Sequence, residues 1–331
     1  MTTSAAQRHI RRRIGWLGFL LSLLFGYLAF LNVDLRELRD ALASQELVFL
    51  APAAVALGVG VLLRAWRWQL LFERATRPPF RYVLNALLVG YLFNTILPAR
   101  AGELVRIQVL GRRAAISRAE VLGTVVLERA YDLLVLIGLL AVAAPFLPPV
   151  DWLTAVLVFG AVLGASLALG ALVVRRHGVQ AARVLLRPLA LLPAIDSERV
   201  EHIARNAVLG LAALRVTRLA VVAIAVTAAS WLALACSAWF LLLGTEIDAS
   251  FGMALLVLVA TNLIMVLPSS PAALGAFEAA VVLALAAYGV DREHALSFAL
   301  VLHALNALPF IPLGYLALAL HTRAMSRPRP A

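Results

Sequence analysis

The sequence predicts an all-α integral membrane protein. We expect about six full transmembrane helices plus two re-entrant hairpins in an inverted-topology repeat. Three observations carry this. The 331 residues are 63% hydrophobic and 14% charged, with a mean hydropathy of +0.93. Several apolar runs approach or exceed the roughly 20 residues that cross a bilayer. Two runs stop at Leu-Pro steps, and the basic clusters fall on the wrong side unless those runs turn back.

The elements follow in order. Arg8 and Arg11 to Arg13 precede an apolar run from Ile14 to Leu31. No small-residue cleavage site follows, so this reads as a retained first span. The loop 32–46 holds Asp34, Glu37, Asp40 and Glu46 against Arg36 and Arg39 and faces outside. The second span, about 47–63, runs into Arg64-Ala-Trp66-Arg67-Trp68, an interfacial belt of aromatics and arginines. The loop up to Arg81 is basic and inside.

The run 82–97 stops at Pro98, and the stretch from Arg100 to Arg118 is again basic. A single crossing would leave that stretch outside. A re-entrant hairpin over 82–111 restores the charge rule. Proline ends the helix because it lacks an N–H and clashes with the preceding turn, and Gly102 permits the redirection. The span 119–143 then crosses outward to a turn containing Pro145, Pro148, Pro149 and Asp151. The span 152–174 returns to Arg175-Arg176-His177. In the linker 178–218, Val200, Ile203, Ala207, Leu211 and Leu214 recur at helical spacing. That favours an amphipathic helix on the cytoplasmic surface, with a small loop subdomain as the alternative.

The span 219–243 leads to the acidic turn Thr245-Glu246-Ile247-Asp248. The run 251–267 stops at Pro268-Ser269-Ser270-Pro271, and 276–290 follows. Together 251–290 forms the second hairpin, entered from outside. The last span, about 295–320, ends at Arg323, Arg327 and Arg329, so both termini are cytoplasmic. The whole chain is one domain: a first half 1–177, the linker, and a second half 219–331.

The hairpins share a pattern: Asn94, Leu97-Pro98, Gly102 and Glu103 in one; Asn262, Leu267-Pro268, Gly275 and Glu278 in the other. Paired interrupted helices point to a binding site near the midplane. Glu128, Arg129 and Asp132 lie inside the apolar span 119–143, at spacings that share a helix face. Burying them unpaired would cost several kcal/mol. Arg100 or Arg106 is expected to neutralise Glu128 or Asp132. Arg100, Glu103, Arg129 and Asp132 are expected to lie close together. On that expectation Arg129→Ala breaks a buried pair at a cost of about 3–5 kcal/mol. Ser269 and Ser270 sit at the second break. His303 and Asn306 lie three apart in the last span, where hydrogen-bonded core is the plainer role for the histidine.

The net charge is +11 and no lysine occurs. The arginines sit at the ends of apolar runs, which anionic headgroups explain better than nucleic acid does. Cys236, the single cysteine, reads as packing. GxxxxGK[ST], HExxH, CxxC and GxSxG motifs are absent. We expect no cofactor, no metal and no enzymatic activity.

Residues 94–132, NTILPARAGELVR through ISRAEVLGTVVLERAYD, together with LPSSPAALGAFE at 267–278, carry a resemblance. The chain resembles the transmembrane domain of the lysylphosphatidylglycerol synthase and flippase-like family over nearly its whole length. The family usually has glycine where this chain has Ala272. No soluble aminoacyl-transfer domain follows in these 331 residues, so the resemblance implies lipid handling and not synthase activity. It implies a plasma-membrane flippase for an anionic phospholipid or polyprenyl-phosphate lipid. Asn94, Arg100, Glu103, Arg106, Glu128, Arg129, Asp132, Ser269, Ser270 and Glu278 are then the expected substrate-binding residues. Two alternatives stay open: an intramembrane lipid-modifying enzyme, or a scaffold for a glycosyltransferase or synthase. The expected partners are an anionic lipid and either a second copy of the chain or a lipid-modifying enzyme.

Overall fold

The computed structural model describes residues 20, 23–31, 33–73, 75–97, 100–149, 151–186, 201, 217–265 and 270–325. Every regular element among them is helical. The helices are α1 (23–30), α2 (Leu35–Ala43), α3 (Leu50–Leu70), α4 (Phe80–Ile96), α5 (Gly102–Ala114) and α6 (Arg118–Ala143). After them come α7 (Asp151–Leu186), α8 (Thr217–Leu243), α9 (Phe251–Ile264), α10 (Ala276–Ala286), α11 (Arg292–Ala307) and α12 (Phe310–Met325). The segments Leu47–Leu70, Arg218–Leu243 and Arg292–Thr322 are long and apolar enough to cross a membrane, and Phe251–Ile264 and Pro271–Ala286 are shorter apolar helices. The α6 helix is also long, at 26 residues, but carries the charged group around Glu128.

Local chemistry sets the boundaries. Side chains cap four helices, accepting the orphan N–H groups of the first turn. They are Asp34 at α2, Ser117 at α6, Ser250 at α9 and Asp291 at α11. The Arg292 guanidinium donates to the carbonyls of Leu28 and Leu31 at the end of α1. The Asp34 N–H donates to Glu293 Oε1 at 3.2 Å, tying α2 to α11.

Four boundaries differ from the sequence reading. The second span runs to Leu70 rather than 63, because Arg67 pairs with Glu128 and Asp132 inside the bundle and Arg64 stacks on Trp231. The helix from Asp151 continues through Arg175, Arg176 and His177, and its backbone kinks at Gly178, where φ is 62°. The last span divides at Leu308-Pro309 into α11 and α12, since Pro309 has no N–H to continue the ladder. The return helix of the first pair extends to Ala114. The proposed amphipathic helix 200–214 lies outside the described residues, apart from Glu201.

Helices α4 and α5 form an antiparallel pair. Arg113 lies over the Tyr82 ring at one end, and Arg106 lies against Gly90 nearer the other. A Cβ on Gly102 would overlap the Gly90 carbonyl oxygen and crowd Asn94. Glycine at 102 therefore sets how closely the two helices approach. Helices α9 and α10 pair likewise, with Gly252 against Tyr288. The two pairs open at opposite ends of the bundle. The α4–α5 end lies beside the C-terminal end of α12, since the first turns of α12 meet the other end of α4, Phe310 against Tyr91 and Gly314 against Leu92. The α9–α10 end lies beside the turn after α8, whose Glu246 reaches His294 at the start of α11. Between them, α3 packs along α8, with Ser237 Oγ donating to the Ala53 carbonyl at 2.8 Å.

Candidate functional site

A cavity of about 230 Å³ lies where the two connections meet, lined from α3 to α6 and from α8 to α12. Its charged wall begins with spacing. Glu128 and Asp132, four apart on α6, share one face, and the guanidinium of Arg67 on α3 sits between them. Arg67 Nη2 is 3.0 Å from Glu128 Oε1, and Nη1 pairs with Asp132. Arg106 on α5 reaches Glu128 Oε2 at 3.2 Å and Glu103 Oε2 at 2.5 Å. Arg129 lies 2.5 Å from Glu103 Oε1 and 3.7 Å from Asp132 Oδ2.

These contacts close a ring: Arg67, Glu128, Arg106, Glu103, Arg129, Asp132 and back to Arg67. Three cations and three anions alternate, so the ring is neutral. Alternation is what makes its burial tolerable, since each charge has opposite neighbours on both sides. Packing holds the ring in place. Arg106 lies 4.6 Å from the Trp68 ring centroid, and the Trp68 indole N–H donates to Thr124 at 3.0 Å. Arg67 is 0% exposed, whereas the Arg129 side chain is 48% exposed at the rim.

Two further guanidiniums line the cavity without a carboxylate partner among the described residues. Arg64 stacks 4.5 Å from the Trp231 ring, and its Nε has no hydrogen-bond partner. Arg100 has φ 53° and, among the described residues, donates to Met265 Sδ at 3.2 Å. That contact joins the first connection to the end of α9. The Trp231 indole N–H is also buried without a partner among the described residues. The cavity therefore presents two positive charges beyond its neutral ring, with unpaired donors beside them. Leu57, Val61, Leu234 and Val257 supply apolar wall.

The structure brings together most of the residues expected from the sequence. Asn94, Arg100, Glu103, Arg106, Glu128, Arg129, Asp132 and Ser270 all line the cavity. Glu278 stands behind the wall, buried against His303, which does line it. Ser269 lies outside the described residues. Of the two arginines expected to neutralise Glu128 or Asp132, Arg106 pairs with Glu128, and Arg100 has no acid partner among the described residues. One expectation needs correcting. The stretch 64–68 is not an interfacial belt throughout: Trp66 is exposed, but Arg67 and Trp68 are fully buried. One signal for this was available. The buried positions Ala53, Leu57, Gly60 and Val61 continue at helical spacing through Arg64 to Trp68.

A family model described as the lysylphosphatidylglycerol synthase TM region matches residues 15–314. Glycosyltransferase AglD of Haloferax volcanii is 32% identical over 126 residues, which are 38% of this chain. Those residues are 20% of that relative, so the chain spans about a fifth of its length.

Proposed function

The chain belongs to the family of the lysylphosphatidylglycerol synthase TM region, a multi-pass membrane family, and on that footing we propose that it translocates an anionic lipid between leaflets. The observation that carries this reading is the charge surplus: Arg64 and Arg100 face a cavity whose other charges cancel. A phosphate group supplies the missing anion, and planar guanidinium forks suit its oxygens. The cavity is smaller than the roughly 300–1,000 Å³ of ordinary ligand pockets. It therefore takes the headgroup, while acyl or isoprenoid chains stay in the bilayer.

The two helix pairs then act as re-entrant hairpins from opposite leaflets, in an inverted repeat that rocks about the cavity. The positive-inside pattern supports cytoplasmic termini, and we assign the protein to the plasma membrane on the family resemblance. Translocation needs no covalent step, and we assign none. A second reading follows from the named glycosyltransferase relative: the chain serves as membrane partner to a separate lipid-modifying enzyme.

The test uses liposomes containing the protein and a headgroup-labelled anionic lipid. External quencher should reach the inner-leaflet label faster than in empty liposomes. Arg100→Lys, which keeps the charge but loses the fork, should slow this exchange several-fold without loss of folding. No acceleration across phospholipid and polyprenyl-phosphate probes overturns the reading. A covalently altered lipid would replace it with an enzyme.

A further inference from the structure

The His303 ring has an acceptor against each nitrogen. Nδ1 lies 2.5 Å from Glu278 Oε1, and Nε2 lies 2.9 Å from the carbonyl oxygen of Ala272. The second Glu278 oxygen accepts the Gly275 N–H at 2.7 Å. The Phe277 ring packs on the imidazole with centroids 4.5 Å apart.

A neutral imidazole has one donor nitrogen and one acceptor nitrogen. With a single N–H, one of the two contacts would set lone pair against lone pair. Both are hydrogen bonds only with one proton on Nε2 and another between Nδ1 and Oε1. Glu278 already accepts the Gly275 N–H on its other oxygen, as a carboxylate does, so we place the second proton on the ring. The group therefore holds one proton more than a neutral histidine beside an ionised glutamate.

The Ala272 carbonyl matters because of where it sits. Ala272 and Ala273 have φ of 55° and 59° in the connection between α9 and α10. That left-handed conformation is unfavourable for any residue with a Cβ. It persists only where surrounding contacts hold it, and the His303 bond to Ala272 is such a contact.

We propose that Glu278 and His303 form a proton-binding site that latches the α9–α10 connection. With the proton bound, Nε2 ties the Ala272 carbonyl to α11. When Nε2 releases its proton to water in the cavity, Nδ1–H stays with Glu278. The Ala272 contact turns repulsive and the strained turn at Ala272 and Ala273 loses that hold. Helices α2, α4, α8, α10 and α12 pack against α11. From these, Glu278 is the charged side chain facing the ring among the described residues. Arg81, Arg218 and His321 lie toward the ends of α4, α8 and α12. The charges of α3, α5 and α6 line the same cavity. If the translocation reading holds, the latch gives a proton gradient a direct hold on the second hairpin. The latch itself does not depend on that reading.

The test has two arms on the full chain. Nitrogen-15 NMR of histidine-labelled protein in micelles, assigned with His303→Gln, should show a doubly protonated His303 ring at about pH 5. Raising the pH should convert it to the singly protonated ring. In a Cys236→Ala background, maleimide labelling of Leu274→Cys is compared with Leu47→Cys to cancel thiol ionisation. The ratio should rise several-fold with that conversion, and stay flat with His303→Gln. If His303→Gln fails to fold, Glu278→Gln serves in both measurements. A singly protonated ring at about pH 5, or a ratio that does not change with pH, overturns the latch. Absence of lipid exchange in liposomes would instead sink the translocation reading and leave these two readouts to decide the latch alone.

Discussion

Arg67 is the residue whose loss should cost most. Its guanidinium is wholly buried and holds Glu128 and Asp132 together, with Thr227 as a further partner at 3.4 Å. Removing one member of a buried pair strands the others, at about 3–5 kcal/mol. Arg129 makes two contacts in the same ring, but half its side chain meets the rim. Exposed pairs contribute about 0–1 kcal/mol. Arg67→Ala should therefore unfold in detergent under far milder conditions than Arg129→Ala, which should stay near wild type. Equal losses would mean the ring is not organised about Arg67. This reverses the expectation from sequence, which placed the large cost on Arg129. The acids were legible because Glu128 and Asp132 interrupt an apolar helix at spacing that puts them on one face. Their principal partner was not. An arginine between two tryptophans at the end of an apolar run has the composition of an interface, and only the helix's true length shows otherwise.

At the scale of elements, glycine spacing decides how the α4–α5 pair closes. A methyl group on Gly102 would meet backbone of α4, which cannot swing aside as a side chain can. Overpacking of this kind costs about 1–3 kcal/mol, occasionally more. Gly58, on α3, has nothing within 4 Å of an added Cβ. There alanine should stabilise, by up to about 1 kcal/mol through helix propensity. Gly102→Ala should thus lower the unfolding midpoint of purified protein while Gly58→Ala leaves it equal or higher. The reverse order would show that the close approach at Gly90 is not what seats α5. Both helix pairs were legible from their Leu-Pro steps and the following glycines. The break at Leu308-Pro309 was not, because apolar residues run on both sides of it and no charge betrays the interruption.

For the whole molecule, the two pairs open at opposite ends of the bundle, and their connections meet where Arg100 touches Met265. The positions of those open ends relative to the membrane give a direct test of the hairpin arrangement. In intact cells, on a Cys236→Ala background, Arg112→Cys should be shielded from an impermeant thiol reagent and Ser250→Cys should react. External labelling at position 112 would require α4 to cross the membrane fully. The sidedness of this arrangement was inferred from charge placement, since charge asymmetry survives in a sequence when contacts do not. The path of the chain between α7 and α8 was not legible in the same way, because its pattern of apolar residues fits an interfacial helix and a small loop subdomain equally. The closed ring of six charges has one further consequence, which concerns voltage. Each elementary charge moved through about 100 mV involves about 2.3 kcal/mol of electrical work. Three arginines matched by three carboxylates carry no net charge, so the ring can shift within the membrane without such work. Arg64 and Arg100 have no such compensation. Until an anion joins them, the membrane potential acts on that pair as it does not on the ring.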